Sequence, residues 1–369
     1  MHDPYKALYL HIPFCVKRCF YCDFDSSAID RDDPFIDEYI DELCMQIRRK
    51  AKEGELADIE TIYIGGGTPS YIGNARLTKL LYMISVSLRL ENVREFTMEA
   101  NPESIDDALI KDIWALGVNR LSIGVQSFDD SVLEILGRAH NASDARNAVQ
   151  CAQQRFENVS IDLMCGIPGQ STESLENSAE TAVNLGVKHV SMYPLTIEPH
   201  TLLNNMVLSG EFPEPDEDEQ AAHMESAERI LTQAGFERYE VANYARPGFQ
   251  SLHNIAYWTG VPYLGLGRSA TTMTQNSERR GRMRDGIVTD DLDKSQMVAE
   301  DIMLGMRLAC GVSDERIDAA DDTLPQLRAT LSALCEDGLV VHEDGRYRPT
   351  HQGWLCGNEL YGRIYDLAP

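Results

Sequence analysis

Residues 9–22 read Tyr-Leu-His-Ile-Pro-Phe-Cys-Val-Lys-Arg-Cys-Phe-Tyr-Cys, and the rest of the chain is arranged around this stretch. The apolar run at 7–12 ends at Pro13 and predicts a buried strand. The loop that leaves this strand carries three cysteines, Cys15, Cys19 and Cys22. Three thiolates from one short loop suit a soft metal ion or an iron–sulfur cluster. A four-iron cluster held by three thiolates keeps one iron open for an exchangeable ligand.

The same cysteines admit a second interpretation, a zinc knuckle completed by His11. A disulfide is disfavoured because three cysteines cannot pair evenly. Free thiols in a reducing compartment are the expected state of the six remaining cysteines. These are Cys44, Cys151, Cys165, Cys310, Cys335 and Cys356.

The composition restricts the possible functions. The chain has 369 residues, enough for one barrel-sized domain and a smaller second domain. It carries 59 acidic and 33 basic residues, for a formal net charge of −26. Because such a surface repels phosphate backbones, we expect no nucleic-acid partner. The chain shows no secretory signal and no apolar run of the roughly 18 residues that a membrane span needs, so we expect a cytoplasmic protein.

Six β-rich runs alternate with helical segments in the first half of the chain. These runs lie at 7–12, 59–64, 95–100, 119–125, 159–164 and 187–195. This alternation predicts βαβ units and a parallel sheet. Polar residues such as Cys15, Gly66, Glu99 and Gln126 gather where the strands end. Ligands bind at this end of the strands in barrels and open α/β sheets, so we expect the functional site there.

Each of these residues also has a plainer interpretation. The glycines at 65–67 could form only a tight turn, although glycines after a strand let the backbone approach a ligand closely. Glu99 could be a surface charge, but its position at the ligand-binding end favours a contact with a ligand. Gln126 and Arg138 could equally be solvated. Asp162 lies inside an apolar strand, where an unpaired carboxylate is costly, so we expect a donor or a ligand hydroxyl beside it.

The spacing Cys-x3-Cys-x2-Cys resembles the signature of the radical S-adenosylmethionine (SAM) superfamily, in which the open iron of a 4Fe-4S cluster is chelated by SAM. The chain is most similar to the oxygen-independent coproporphyrinogen III oxidase group. This resemblance implies an α/β fold, with a partial (β/α)6 TIM-like barrel and a small C-terminal winged-helix-like α+β domain. It also implies the SAM-binding residues Tyr9, Tyr21, Gly66, Gly67, Thr68, Glu99, Gln126, Arg138 and Asp162. Some members of the group bind a second SAM, and the resemblance implies that Gln126, Arg138 and Asp162 would contact it.

Residues 252–258 place His253 beside two aromatic side chains, Tyr257 and Trp258. Histidine is a common axial ligand of heme iron, and aromatic faces stack on a flat macrocycle. From the residues alone, a hydrogen-bonded loop histidine among core aromatics is preferred. The stretch resembles the His-Asn-x-x-Tyr-Trp motif of the heme chaperone (HemW-type) branch, which implies heme binding by these three residues.

Arginines recur between residues 279 and 284 and interrupt an acidic chain. They are Arg279, Arg280, Arg282 and Arg284. The cluster predicts either a site for a porphyrin propionate or a mobile solvated loop. We expect three regions: the barrel with the cluster and SAM site at 1–240, an extension at 241–293, and the C-terminal domain at 294–369. The acidic balance argues against DNA binding by the winged-helix-like domain.

Two departures separate the branches of the group. Coproporphyrinogen oxidases carry a fourth cysteine where this chain has Phe24, and they have a long extension before the first strand. Both favour a heme chaperone over the alternative, an oxygen-independent coproporphyrinogen III dehydrogenase. Against this, residues 267–271 lack a histidine that is frequent in the chaperone branch. The expected partners are heme, a heme-acceptor protein of unknown identity and an electron donor for the cluster, and a homodimer is one option for the assembly.

Overall fold

The computed structural model describes residues 2–369, which form an α/β protein built on one large mixed sheet. The strands are β1 (Ala7–Ile12), β2 (Phe14–Cys15), β3 (Ser27–Ala28), β4 (Thr61–Gly66), β5 (Glu95–Ala100), β6 (Arg120–Gln126), β7 (Asn158–Cys165), β8 (His189–Pro194), β9 (Glu237–Arg238), β10 (Asn243–Ala245), β11 (Tyr263–Leu266), β12 (Thr271–Gln275), β13 (Arg280–Arg284), β14 (Ile287–Leu292), β15 (Val312–Ser313), β16 (Val340–Glu343) and β17 (Arg346–Pro349).

Helices connect most of these strands. They are α1 (Pro34–Glu53), α2 (Asn74–Ser87), α3 (Asp107–Ala115), α4 (Asp130–Ile135), α5 (Ala142–Gln153), α6 (Thr172–Asn184), α7 (Leu202–Leu208), α8 (Glu217–Gln233), α9 (Leu252–Trp258), α10 (Lys294–Gly305), α11 (Asp314–Ala320), α12 (Leu327–Glu336), α13 (His351–Leu355) and α14 (Gly357–Tyr365). Short 3-10 helices cover Pro69–Ile72, Leu90–Asn92 and Pro102–Ser104. Within residues 2–369, none of the helices combines the length and apolar character needed to cross a bilayer.

The centre of the sheet is the parallel array β1-β4-β5-β6-β7-β8, so the predicted alternation of strands and helices is confirmed. Beyond β1 the sheet continues through β11, which is parallel to β1, into the antiparallel ribbon of β12, β13 and β14. Beyond β8 it continues through the short antiparallel strands β10 and β9. Residues 241–293 therefore extend the same sheet on both sides.

The two faces of the parallel strands differ in character, because successive side chains of a strand point to opposite faces. In β5, Phe96 and Met98 belong to the hydrophobic core, whereas Glu95, Thr97 and Glu99 alternate with them. The polar face is turned toward the interior of the open barrel. An interior with this many buried polar groups needs internal partners or a ligand.

A second hydrophobic core organises the C-terminal region. It contains Ile302, Leu327, Leu331, Leu334 and Leu360, and it is distinct from the core of the barrel. Its small antiparallel sheet has the order β15-β17-β16, with α11 and α12 between β15 and β16. This arrangement is the expected winged-helix-like α+β domain. The exact boundaries at 240 and 293 stay a prediction.

Candidate cofactor site

A chamber opens at the carboxyl ends of the parallel strands, where the sequence predicts the site. It has three adjoining parts: the cysteine cavity of about 120 Å³, the central cavity of about 300 Å³ and the ribbon cavity of about 480 Å³. Cys15 and Arg138 line the first, Arg120 lines the second and Tyr257 lines the third. Glu99 lines all three, and so does Phe24, whose side chain is 63% exposed.

The chamber gathers every residue that the sequence predicts to bind SAM. Tyr9 lines the ribbon cavity, and the other eight residues line the cysteine cavity. Those eight are Tyr21, Gly66, Gly67, Thr68, Glu99, Gln126, Arg138 and Asp162. Their convergence from six separate segments of the chain supports the predicted site.

The cysteine loop is held at both ends. Cys15 belongs to β2, which pairs with β3, and Phe20 in mid-loop receives a backbone hydrogen bond from Leu203 at 2.7 Å. His11 cannot complete a zinc knuckle in this arrangement, because one ring nitrogen contacts the Tyr9 hydroxyl at 3.0 Å and the other contacts the Asp25 carbonyl at 2.9 Å.

The spacing of the thiols also distinguishes the two kinds of metal centre. Among residues 2–369, no three His, Cys, Asp or Glu side chains converge as ligands of a single ion. In a cluster each thiolate binds a different iron, so the sulfurs need not meet at one point. The donor set therefore fits a cluster better than it fits zinc.

A chain of hydrogen bonds joins two of the thiols through side chains behind them. Thr68 donates its hydroxyl to Cys15 Sγ at 3.5 Å, and Asn101 Nδ2 donates to Thr68 Oγ1 at 2.8 Å. Arg138 donates from Nη2 to Asn101 Oδ1 at 2.7 Å and from Nη1 to Cys19 Sγ at 3.3 Å. Groups of this kind orient metal ligands and help to set the reduction potential of a cluster.

The glycines after β4 are required by close packing. Gly66 has φ +118°, and a Cβ atom there would lie 2.6 Å from the His11 ring. A Cβ atom at Gly67 would lie 2.9 Å from Cys15 Sγ. Any side chain at these positions would push the strand end away from the cysteine loop, so the glycines do more than form a turn.

Glu99 is a half-buried carboxyl at the junction of the three cavities. Its Oε1 accepts a hydrogen bond from the Tyr63 hydroxyl at 2.7 Å, and its Oε2 accepts one from the Gly66 amide at 3.1 Å. Burial raises the pKa of Glu99 to about 7, although the bond from Tyr63 opposes this rise. The group can therefore gain or lose a proton near neutral pH.

We expect Glu99 to make stability depend on pH between the ordinary pKa of a glutamate, 4.5, and about 7. In this window the folded protein holds a proton that the unfolded chain has released, so the free energy of unfolding falls as pH rises. The contribution is roughly 3 kcal/mol at most. Thermal unfolding between about pH 5 and about pH 8 measures it, with Glu99→Gln as the control. An equal pH slope in the two proteins would contradict the assignment.

Asp162 meets the donor that its buried position requires. Ser122 donates its hydroxyl to Asp162 Oδ1 at 3.3 Å, and burial raises the pKa of this carboxyl as well. Gln126 ends β6 with φ +66°, a conformation that is uncommon outside glycine and that concentrates at functional sites. The strained backbone directs this residue to the boundary between the cysteine and central cavities.

His253 lies on a helix, so the expectation of a loop histidine is wrong. Residues Leu252–Trp258 form α9, which Ser251 caps by accepting a hydrogen bond from the Asn254 amide. The His253 side chain is 1% exposed, and its ring nitrogens contact Thr61 Oγ1 at 2.9 Å and the Tyr257 hydroxyl at 3.1 Å. Burial, together with the charge of Arg120, lowers the pKa of His253 to about 3, so the imidazole is neutral.

The three residues of the predicted heme motif face different directions. Tyr257 lines the ribbon cavity beside Tyr9 and Gly66. Trp258 packs toward the C-terminal domain, where the Arg307 guanidinium lies 4.9 Å from the centre of a Trp258 ring. Since His253 is enclosed, Tyr257 is the one member of this trio that lines the chamber. Heme binding by the trio stays a prediction.

The arginine cluster forms a strand of the ribbon, so the expectation of a mobile loop is wrong. Three of its members, Arg279, Arg280 and Arg282, pair with carboxylates of β14 or α10, as in the contact of Arg280 Nη1 with Glu300 at 2.5 Å. Arg284 instead lines the ribbon cavity. A propionate in this cavity would meet Arg284 rather than the whole cluster.

Residues 9–182 match the Radical SAM superfamily, and residues 292–356 match the HemN C-terminal domain. The chain is 36% identical to the heme chaperone HemW of Bacillus subtilis (strain 168) over 381 aligned positions, which cover 97% of this chain and 98% of that protein. The chain belongs to the HemW family. The resemblance to the heme chaperone branch of the radical SAM proteins is therefore confirmed.

Two further comparisons place the chain more broadly. It is 38% identical to the heme chaperone HemW of Escherichia coli (strain K12) over 270 positions, covering 72% of this chain and 70% of that protein. The solved structure of the Escherichia coli coproporphyrinogen III oxidase (HemN) has a TM-score of 0.81 and 21% identity, covering 98% of this chain and 90% of that one. At this identity the likeness to HemN shows a shared fold, which the HemW family has in common with it.

Four residues of the chamber do not emerge from the sequence. Tyr63 and Asn101 hold Glu99, Thr68 and Arg138 in place, while Arg120 and Asn254 line the central cavity. The alternation of polar and apolar residues in strands 4 to 6 is a signal that could have found Tyr63 and Arg120, because it places them on the polar face. Asn101 directly follows β5 and Asn254 lies on α9, and no periodic signal marks either residue.

Proposed function

We propose that this chain is a heme chaperone that carries a 4Fe-4S cluster and SAM and transfers heme to an acceptor protein. The observation that carries the proposal is its 36% identity, across 97% of its length, to a heme chaperone. The chamber adds support, since it unites three thiols with the nine residues expected to bind SAM. The proposal includes an electron donor for the cluster and a location in the cytoplasm. A homodimer is one option for the assembly of the chain.

Within this proposal, Cys15, Cys19 and Cys22 would hold the cluster, which would supply an electron-transfer centre and a binding point for SAM. Arg138 donates a hydrogen bond to Cys19 Sγ and so helps to orient this ligand. Glu99 presents a carboxyl group at the meeting point of the cavities, where it can accept a hydrogen bond from an ammonium group. Tyr21 lines both the cysteine cavity and the central cavity.

Heme is placed in the ribbon cavity, the largest of the three. Tyr257 offers an aromatic ring there, and Arg284 offers a cation for a propionate. A direct bond from His253 to heme iron would require α9 to move, because both ring nitrogens are already engaged. In this proposal, His253 and Trp258 contact heme only after a movement of α9 has exposed them.

The experiment uses the full chain with its cluster reconstituted under anaerobic conditions. Heme is titrated in and followed by its Soret band, and the loaded protein is then mixed with apomyoglobin as a defined acceptor. We expect stoichiometric binding and transfer of heme to the acceptor. A failure to bind heme would overturn the proposal.

The same preparation tests the alternative, a coproporphyrinogen III dehydrogenase. It is incubated with coproporphyrinogen III, SAM and a reductant, and the porphyrins are separated afterwards. We expect no formation of protoporphyrinogen at enzymatic turnover. Its formation would rule out a pure carrier.

A further inference from the structure

Arg120 is a buried cation whose charge has no direct partner. It opens β6 on the polar face of the sheet, and its side chain is 2% exposed. Within residues 2–369 no carboxylate oxygen lies within 4.0 Å of its guanidinium nitrogens, and its Nε has no hydrogen-bond acceptor. Arg120 lines the central cavity. Burying an unpaired charge is costly, so a ligand that binds in this cavity can supply the negatively charged partner that Arg120 lacks.

Asn254 lies in the same cavity and has a free side-chain amide. Its backbone is fixed by Ser251 at the start of α9, but within residues 2–369 its side chain forms no hydrogen bond to another protein group. An amide and a guanidinium together offer several N–H donors and one fixed charge. This donor set is suited to a carboxylate.

The other groups around Arg120 leave its charge available. Burial lowers the pKa of both His189 and His253, so neither imidazole competes as a cation. Glu99 and Asp162 line the same cavity, but their oxygens are engaged by Tyr63, Gly66 and Ser122. These two carboxyls reduce the local positive potential without bonding to Arg120.

The rest of the cavity lining is mixed. Apolar and aromatic contacts come from Tyr21, Phe24, Met164, Tyr193 and Pro194. The acidic residues Asp23 and Glu198 also line this cavity, and neither forms an ion pair with Arg120 within residues 2–369. Because the cavity measures about 300 Å³, it can hold one arm of a large flat ligand or the end of a smaller one, with the rest extending into a neighbouring cavity.

We propose that Arg120 and Asn254 form a carboxylate-binding site in the central cavity, which holds a carboxylate of a ligand in the chamber. Two ligands of the proposed function carry this group: the porphyrin, through a propionate, and SAM, through its amino-acid end. The inference rests on the proposed function and specifies how the chamber orients its ligand.

The test compares ligands that differ only in the carboxylate. Iron protoporphyrin IX and its dimethyl ester form one pair, and SAM and decarboxylated SAM form the other. Each is titrated into the cluster-reconstituted wild type and into Arg120→Met, with Arg120→Lys as the variant that keeps the charge. We expect Arg120→Met to weaken the binding of either iron protoporphyrin IX or SAM by roughly tenfold or more. The affinity for the corresponding compound without the carboxylate should stay unchanged. The pair that responds identifies the ligand.

A second variant keeps the inference testable if Arg120→Met does not fold. Asn254→Asp places a carboxylate in the same cavity, where it can pair with Arg120 and exclude the ligand. We expect an unchanged or higher melting temperature together with a loss of the preference for the acid. If the wild type binds heme but neither ligand pair discriminates between wild type and variants, the carboxylate site is wrong and the proposed function stands. If heme does not bind at all, the proposed function fails and the SAM pair alone decides the inference.

Discussion

Cys19→Ala, reconstituted anaerobically with iron and sulfide, is expected to show almost no cluster absorbance. Its thiolate is one of three that would hold a cluster, and a cluster left with two protein ligands is exposed to loss. The substitution also removes the sulfur that accepts the hydrogen bond from Arg138, which leaves a buried guanidinium with one contact fewer. Cys15→Ala and Cys22→Ala are expected to give the same result. The iron and sulfide content of each protein, measured together with its visible spectrum, gives the amount of cluster that it retains.

Two cysteines outside the loop serve as matched controls. Cys151 lies on α5 and donates to Asp107, and Cys335 lies on α12 in the C-terminal domain. Substituting either with Ala removes a thiol without touching the chamber, so the cluster content should equal that of the wild type. If any one of the three loop substitutions retains full iron and sulfide, the three-thiolate assignment is wrong.

His253→Ala is expected to lower the free energy of unfolding by about 3 kcal/mol. The substitution leaves Thr61 and Tyr257 without their buried partner, and it creates a void beside the Tyr63 ring, whose centre lies 5.2 Å from that of His253. Tyr257→Phe is the matched control, because it breaks only one of the two bonds and keeps the aromatic ring. It should cost about 1 kcal/mol. Chemical denaturation of the three proteins measures the difference.

The heme spectrum separates this structural role from a role as iron ligand. As a buried structural residue, His253 leaves the Soret band of the heme-loaded variant where it is in the wild type. An axial ligand would give the opposite pattern, a shifted Soret band and weaker heme binding in a protein of nearly normal stability. That second pattern would show that α9 moves away from the barrel when heme binds.

The local elements of the barrel could be predicted from the sequence because each carries its own periodic signal. The run at 95–100 coincides with β5, and the run at 59–64 differs from Thr61–Gly66 by two positions. The cysteine loop and the strand-end residues could be predicted for the same reason, since the rule that ligands bind at carboxyl ends needs only the strand order.

Contacts between distant segments could not be predicted in this way. No residue near His253 in the sequence indicates that its ring contacts Thr61, which is 192 positions away. The arginines at 279–284 are compatible with a mobile loop in the sequence alone, because their carboxylate partners lie on β14 and α10 and no neighbouring residue indicates the pairing. The cap residue Ser251 was a usable signal for α9 that the motif at 252–258 obscured.

The parallel pairing of β1 with β11 has a consequence for how the protein is made. Ala7 lies opposite Tyr263, so β1 leaves the ribosome more than two hundred residues before its second neighbour is synthesised. Until then a nascent chain presents the backbone amides and carbonyls of one edge of β1 to its surroundings, and such edges invite pairing with other chains. Because so many strand pairs join distant parts of the sequence, we also expect the sheet to close slowly after translation. A cut at residue 240 would make this transient edge permanent, and the released fragment should aggregate.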